Sequence, residues 1–136
     1  MRTRERRMTI GVMKRILLIA LCLAFLGLSN VAGATSSQTT TLIGRVGLNN
    51  AYRISLTFAN GRPVRTLPAG RYVIVVHDYS KLHNFALGSI TTNRRIFTGS
   101  IPGTGTTRYT VRLTAGSYAY ACSAHPQTMN GRFTVT

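Results

Sequence analysis

Hydrophobic and polar residues follow two regimes along this chain. The first is an unbroken apolar run from Ile16 to Leu28. It is entered through Arg2, Arg4, Arg6, Arg7, Lys14 and Arg15 and left through Ser29-Asn30-Val31-Ala32-Gly33-Ala34. Charge, then apolar run, then small residues is the order of a secretory signal. The run is shorter than the roughly 20 residues that span a bilayer comfortably. Residues 1–34 are therefore expected to be a signal peptide removed after Ala34, or a short membrane anchor if cleavage fails. Arg6-Arg7 matches a twin-arginine signal only loosely, and Cys22 reads as filler within the run.

The second regime is alternation. After a polar lead-in at residues 35–41 come short runs with a period of two, the pattern of a strand that buries one face. Tyr52, Ile54, Leu56 and Phe58 fall on one face, opposite Arg53, Ser55 and Thr57, and Asn60-Gly61 then marks a turn. Residues 71–77 form a strongly apolar run, Tyr-Val-Ile-Val-Val between Arg71 and His77. Further runs fit at 42–47, 83–87, 94–98, 106–113, 117–122 and 132–136, with Gly, Pro and Asn in the gaps. Helical periodicity is absent from all of them.

About eight short strands in about a hundred residues imply an all-β Greek-key sandwich or barrel. The expected domain runs from residue 42 to residue 136, long enough to bury one core without staples. Leu67-Pro68-Ala69-Gly70-Arg71-Tyr72 and Leu113-Thr114-Ala115-Gly116-Ser117-Tyr118 share the form L-x-A-G-x-Y. Each resembles a tyrosine corner, in which the phenol hydroxyl bonds back to the backbone at a Greek-key crossing. Tyr72, Tyr118 and Tyr120 are accordingly read as structural.

Charge narrows the partners. Residues 35–136 carry eleven basic side chains against the single acid Asp78, a formal net charge of +10. Such a field favours acidic partners and anionic surfaces, including those of a cell envelope. The cations stand singly or in pairs, with no basic run and no helix to enter a groove, so nucleic acid is not an expected partner. One carboxylate also excludes paired-carboxylate catalysis, and no Ser-His-acid set is present. No enzymatic activity is expected.

One cysteine, Cys122, remains after residue 34, so an intramolecular disulfide is excluded. A single thiol in an oxidising compartment is a liability unless it is buried or holds a metal. It lies in Tyr120-Ala121-Cys122-Ser123-Ala124-His125-Pro126-Gln127-Thr128-Met129-Asn130-Gly131, where a strand ends at Cys122 and a loop carries His125 and Met129. Asn130-Gly131 reads as the turn into the last strand. Upstream, His83-Asn84-Phe85 reads as the head of another strand. A thiolate and imidazoles in a trigonal plane with a distant thioether suit copper moving between its two oxidation states. The bland alternatives are a buried inert thiol, a core methionine and an ordinary strand-end histidine. His77 has no matching motif and reads as a surface imidazole beside Asp78.

These residues carry a resemblance. His83-Asn84-Phe85 followed by Y-x-Y-x-C-x2-H-x3-M-x-G-x-F-T-V resembles small exported bacterial cupredoxins, the plastocyanin-like blue copper family, from about residue 42 onward. The resemblance implies one copper per chain, with His83, Cys122 and His125 as equatorial ligands and Met129 as the weak axial one. It implies that Asn84 ties the two ligand loops together, and that His125 is the ligand nearer the surface and the exit for electrons. Ala121 departs from relatives that carry a large residue before the cysteine, so an electron route through an aromatic at that point is not implied.

The function expected is that of an exported, monomeric one-electron carrier with an acidic redox partner docking near His125. Two other readings use the same residues: a copper carrier or scavenger of the cell envelope, and a metal-free basic sandwich that binds envelope polymers.

Overall fold

The computed structural model describes residues 39–136. The segment read as a signal peptide, with Cys22, and most of the lead-in lie outside the described residues. Nine strands follow in order: β1 (Thr40–Val46), β2 (Ile54–Phe58), β3 (Thr66–Leu67), β4 (Gly70–Asp78), β5 (Ala86–Ser89), β6 (Arg94–Thr98), β7 (Gly105–Leu113), β8 (Gly116–Ala121) and β9 (Asn130–Val135). One short 3-10 turn, Leu48–Asn50, stands between β1 and β2. Among the described residues no helix is long and apolar enough to cross a membrane.

The strands form two sheets, a four-stranded one in the order β2-β1-β4-β7 and a five-stranded one in the order β3-β9-β8-β5-β6. Most neighbours are antiparallel, and the β1–β4 and β3–β9 pairs are parallel. The apolar run at 71–77 is β4, an interior strand whose two edges are paired with β1 and β7. Tyr72, Ile74 and Val76 turn into the core while Val73 and Val75 lie on the opposite face, and β-branched residues suit such a mid-sheet position. Leu42, Val46, Leu56, Ile74, Val111 and Leu113 of the first sheet meet Leu67, Leu87, Tyr118, Phe133 and Val135 of the second in a single core. Burying each such side chain contributes about 1.5–3 kcal/mol. The expected all-β sandwich is the observed one.

Both tyrosine corners are present as well. The Tyr72 hydroxyl donates to the Pro68 carbonyl at 2.6 Å, and the Tyr118 hydroxyl donates to the Thr114 carbonyl at 2.7 Å. The Tyr118 oxygen also accepts the Thr114 N–H at 3.1 Å. Each bond fixes the chain where it enters β4 or β8.

Four local expectations need correction. β5 opens at Ala86 rather than at His83, because the Phe85 carbonyl is taken by the Gly99 N–H and the His83 N–H turns back to Ser80. Tyr52 does not share a strand face with Ile54. The Gly47 N–H bonds the Arg53 carbonyl at 3.1 Å, closing a loop that holds Tyr52 ahead of β2. Asn130-Gly131 is not a turn but the start of β9. β3 was missed because two residues are too few to show a period.

Register brings distant segments together. Ala86 at the head of β5 is paired with Ala121 at the tail of β8, and Ala121 is paired in turn with Asn130 at the head of β9. Residues 83–85 and 122–129 therefore emerge at the same end of the sandwich. The Gly47–Arg53 loop reaches that end too, since Tyr79 N–H bonds the Val46 carbonyl and leads the chain toward His83.

Candidate metal centre

His83 and Cys122 are wholly buried and His125 is partly so, and their ligand atoms lie within 4.8 Å of one another. The two imidazoles face each other through Nδ1, 3.1 Å apart. Cys122 Sγ lies 3.8 Å from His83 Nδ1 and 3.6 Å from His125 Nδ1. Three atoms with these separations are each about 2.0 Å from their common centre, close to ordinary metal–nitrogen and metal–sulfur bond lengths. Three lone-pair-bearing atoms this close repel one another unless they share a proton or a cation. The donor set fits a metal ion.

The hairpin loop that supplies two of these residues is tightly bonded. Cys122 N–H donates to the Met129 carbonyl at 2.9 Å, and Met129 N–H returns to the His125 carbonyl at 2.9 Å. His125 N–H bonds the Cys122 carbonyl at 3.1 Å. The Asn130 side chain caps the loop by donating to the Pro126 carbonyl at 2.8 Å. Met129 is wholly buried in the same core cluster as Cys122.

Asn84 bridges three segments. Its Oδ1 accepts the Ser123 N–H at 2.8 Å, and its Nδ2 donates to Ser123 Oγ and to the Gly99 carbonyl, each at 2.9 Å. The residues flanking His83 and Cys122 are thus fastened to each other directly. His83 Nε2, by contrast, is buried without a hydrogen-bond partner among the described residues. With Nδ1 aimed at Cys122 and His125, nothing competes for that nitrogen's orientation except packing.

Sequence reasoning missed Tyr52. Its ring meets His83 edge-on at a centroid distance of 5.1 Å and His125 at 4.8 Å. Its period-two spacing with Ile54 pointed to a strand face, and no local signal contradicted that. Ser123, hidden inside the Cys-to-His interval, was also passed over. His77 stands apart from the cluster, with Nδ1 at 2.9 Å from Thr106 Oγ1 and its ring stacked on Tyr79.

No protein-family model matches the chain, and no curated protein matches it. Solved structures do. A structure of the copper protein rusticyanin aligns with a TM-score of 0.57 at 19% identity, covering 74% of this chain and 80% of that one. Rusticyanin from Thiobacillus ferrooxidans aligns at 0.53 and 20% identity, covering 74% and 79%. Reduced rusticyanin aligns at 0.54 and 19% identity, covering 74% and 81%. The chain has the cupredoxin fold. At this identity the likeness concerns the cupredoxin fold alone, and the chemistry of this chain is argued from its own residues.

Proposed function

We propose that this chain is an exported mononuclear copper protein of the blue, type-1 kind that carries one electron at a time. The observation that bears most weight is the convergence of two imidazole nitrogens and one cysteine sulfur, with Met129 buried in the same core cluster as Cys122. Two histidines and a cysteine in a trigonal set with a weak thioether are the donors of blue copper sites. The copper–cupredoxin association of rusticyanin agrees with this reading.

Bound copper would supply a one-electron couple, taking an electron from a donor protein and passing it to an acceptor. His83, Cys122 and His125 would hold it, with the buried Met129 as a weaker fourth donor. The chain's own contribution is rigidity. Asn84 fastens the His83 segment to Ser123, and the hydrogen bonds of the 122–129 loop leave the donors little freedom to rearrange. Fixed donors keep reorganisation small when charge changes. Complete burial of Cys122 and His83 favours retention of the ion over its delivery, so a carrier of electrons is preferred to a carrier of copper.

His125, the partly exposed imidazole, is the proposed exit for electrons, and an acidic partner suits a domain with this surplus of cations. The signal-like first 34 residues support export. No catalytic role is proposed.

The deciding experiment is Cu(II) titration of the full chain followed by visible absorption, with Cys122→Ser as control. An intense thiolate-to-copper band, absent in the variant and reversibly bleached by one electron, is the expected result. No band in the wild type overturns the reading. Tight Cu(I) binding without reversible cycling would transfer it to copper handling.

A further inference from the structure

Tyr52 comes from a loop some thirty residues before His83 in sequence, far too distant for the contact to be a by-product of local geometry. It is 58% exposed, yet its ring stands at 73° to that of His83 and at 75° to that of His125. An aromatic ring with more than half its surface in water, touching two imidazoles that are buried or half-buried, lies on the outer side of them. Both contacts have the T-shaped geometry that aromatic pairs prefer.

The loop is built to hold that ring. Gly47, Asn49 and Asn50 all adopt left-handed backbone angles, with φ of 70°, 56° and 54°. Two non-glycine residues in that region within three positions is an uncommon arrangement that the surroundings must impose. The imposing bonds are Asn50 N–H to the Gly47 carbonyl, Ala51 N–H to the Leu48 carbonyl and Gly47 N–H to the Arg53 carbonyl. Gly47 itself lies against the centre: a Cβ there would fall 2.6 Å from Ser80 Cβ and 3.0 Å from His83 Cδ2. The loop therefore approaches the His83 ring at two points, through Gly47 at Cδ2 and through the Tyr52 ring.

We infer that Tyr52 is a positioning and shielding residue of the metal centre, clamping the His83 and His125 imidazoles in their convergent arrangement and covering them from solvent and competing ligands. The role rests on the copper reading for its metal, but the clamp belongs to the protein and is measurable without one. No chemistry of the phenol hydroxyl is required, so an unsubstituted ring should serve equally well.

The test uses the full chain as wild type, Tyr52→Ala and Tyr52→Phe, with two readouts. In metal-free protein, acylation of individual histidines by diethyl pyrocarbonate is followed by mass spectrometry, with the distant His77 as internal reference. His125 and His83 should react at least about tenfold faster relative to His77 in Tyr52→Ala and at close to the wild-type rate in Tyr52→Phe. In Cu(II)-loaded protein, transfer of the ion to excess EDTA should accelerate by a similar factor in the alanine variant, again with rescue by phenylalanine. Unchanged relative histidine reactivity in Tyr52→Ala overturns the inference, whatever the copper result. If wild type binds no copper while the histidine rates rise as stated, the clamp stands and the copper reading falls.

Discussion

Asn84 and Ser123, 39 positions apart, hold each other through both ends of one carboxamide, and the two residues before them in the chain order are His83 and Cys122. Ser123 N–H and Oγ both bond Asn84 Oδ1, at 2.8 and 3.1 Å, while Asn84 Nδ2 spans Ser123 Oγ and the Gly99 carbonyl. Asn84→Ala leaves a backbone N–H and a carbonyl without partners near the core. It should lower unfolding free energy by about 2–3 kcal/mol in urea titrations. Asn84→Asp should lower it also, since a second carboxylate oxygen would then face the Gly99 carbonyl. An alanine variant as stable as wild type would show that the bridge is incidental.

The two tyrosine corners are not equivalent. The Tyr118 oxygen donates to Thr114 and accepts from it, whereas the Tyr72 oxygen only donates. Tyr118→Phe strands an N–H and a carbonyl, and should cost about 1.5–2.5 kcal/mol, against about 1 kcal/mol for Tyr72→Phe. Equal costs, read by thermal or urea unfolding, would contradict that ordering.

Gly131 stands opposite Tyr120 in the β8–β9 register, and a Cβ at Gly131 would collide with the Tyr120 ring and hydroxyl. That hydroxyl is half-buried, its pKa raised by burial and drawn back by the Leu56 backbone. Gly131→Ala should destabilise by about 1–3 kcal/mol through overpacking. In a Tyr120→Ala background the same substitution should cost much less, a non-additivity that a double-mutant cycle measures directly.

Asp78 is held with a raised pKa, chiefly by burial, against smaller opposing effects from the Ser80 N–H and the nearby His83. Among the described residues no ion pair stabilises it. Its ionised form therefore costs stability above its folded-state pKa. That cost fades as pH falls toward and below the ordinary carboxylate range. The stability of wild type minus that of Asp78→Asn should accordingly rise as pH is lowered from 7 to about 3. A difference that falls instead would mean that the surrounding cations outweigh burial.

Much of this was legible in the sequence, and the omissions share a cause. The β4 run, the corner tyrosines and the His83, Cys122, His125 and Met129 set all rest on short-range patterns or on residue types with narrow chemistry. Tyr52 did not declare itself because its partners are distant and its spacing imitated a strand. Three left-handed residues in the preceding loop decided its place, and asparagine only permits that conformation. Gly131 looked like half of an Asn-Gly turn, while its actual task is to let Tyr120 cross β9. His83 and Asn84 looked like a strand opening because β5 begins three residues later, after the His83 ring has turned toward Cys122 and His125 and the Asn84 side chain toward Ser123.

β9 is an interior strand, lying between β3 and β8, and it also closes the 122–129 loop. Cys122, His125 and Met129 hence acquire fixed positions only once β9 has been synthesised and has docked. A translocation channel that passes an extended chain would deliver a polypeptide with no assembled site, which must meet its metal at the destination. A channel that passes folded cargo would allow loading at the point of synthesis. Under the export proposed above, the mode of transport would decide which compartment's metal pool fills the protein.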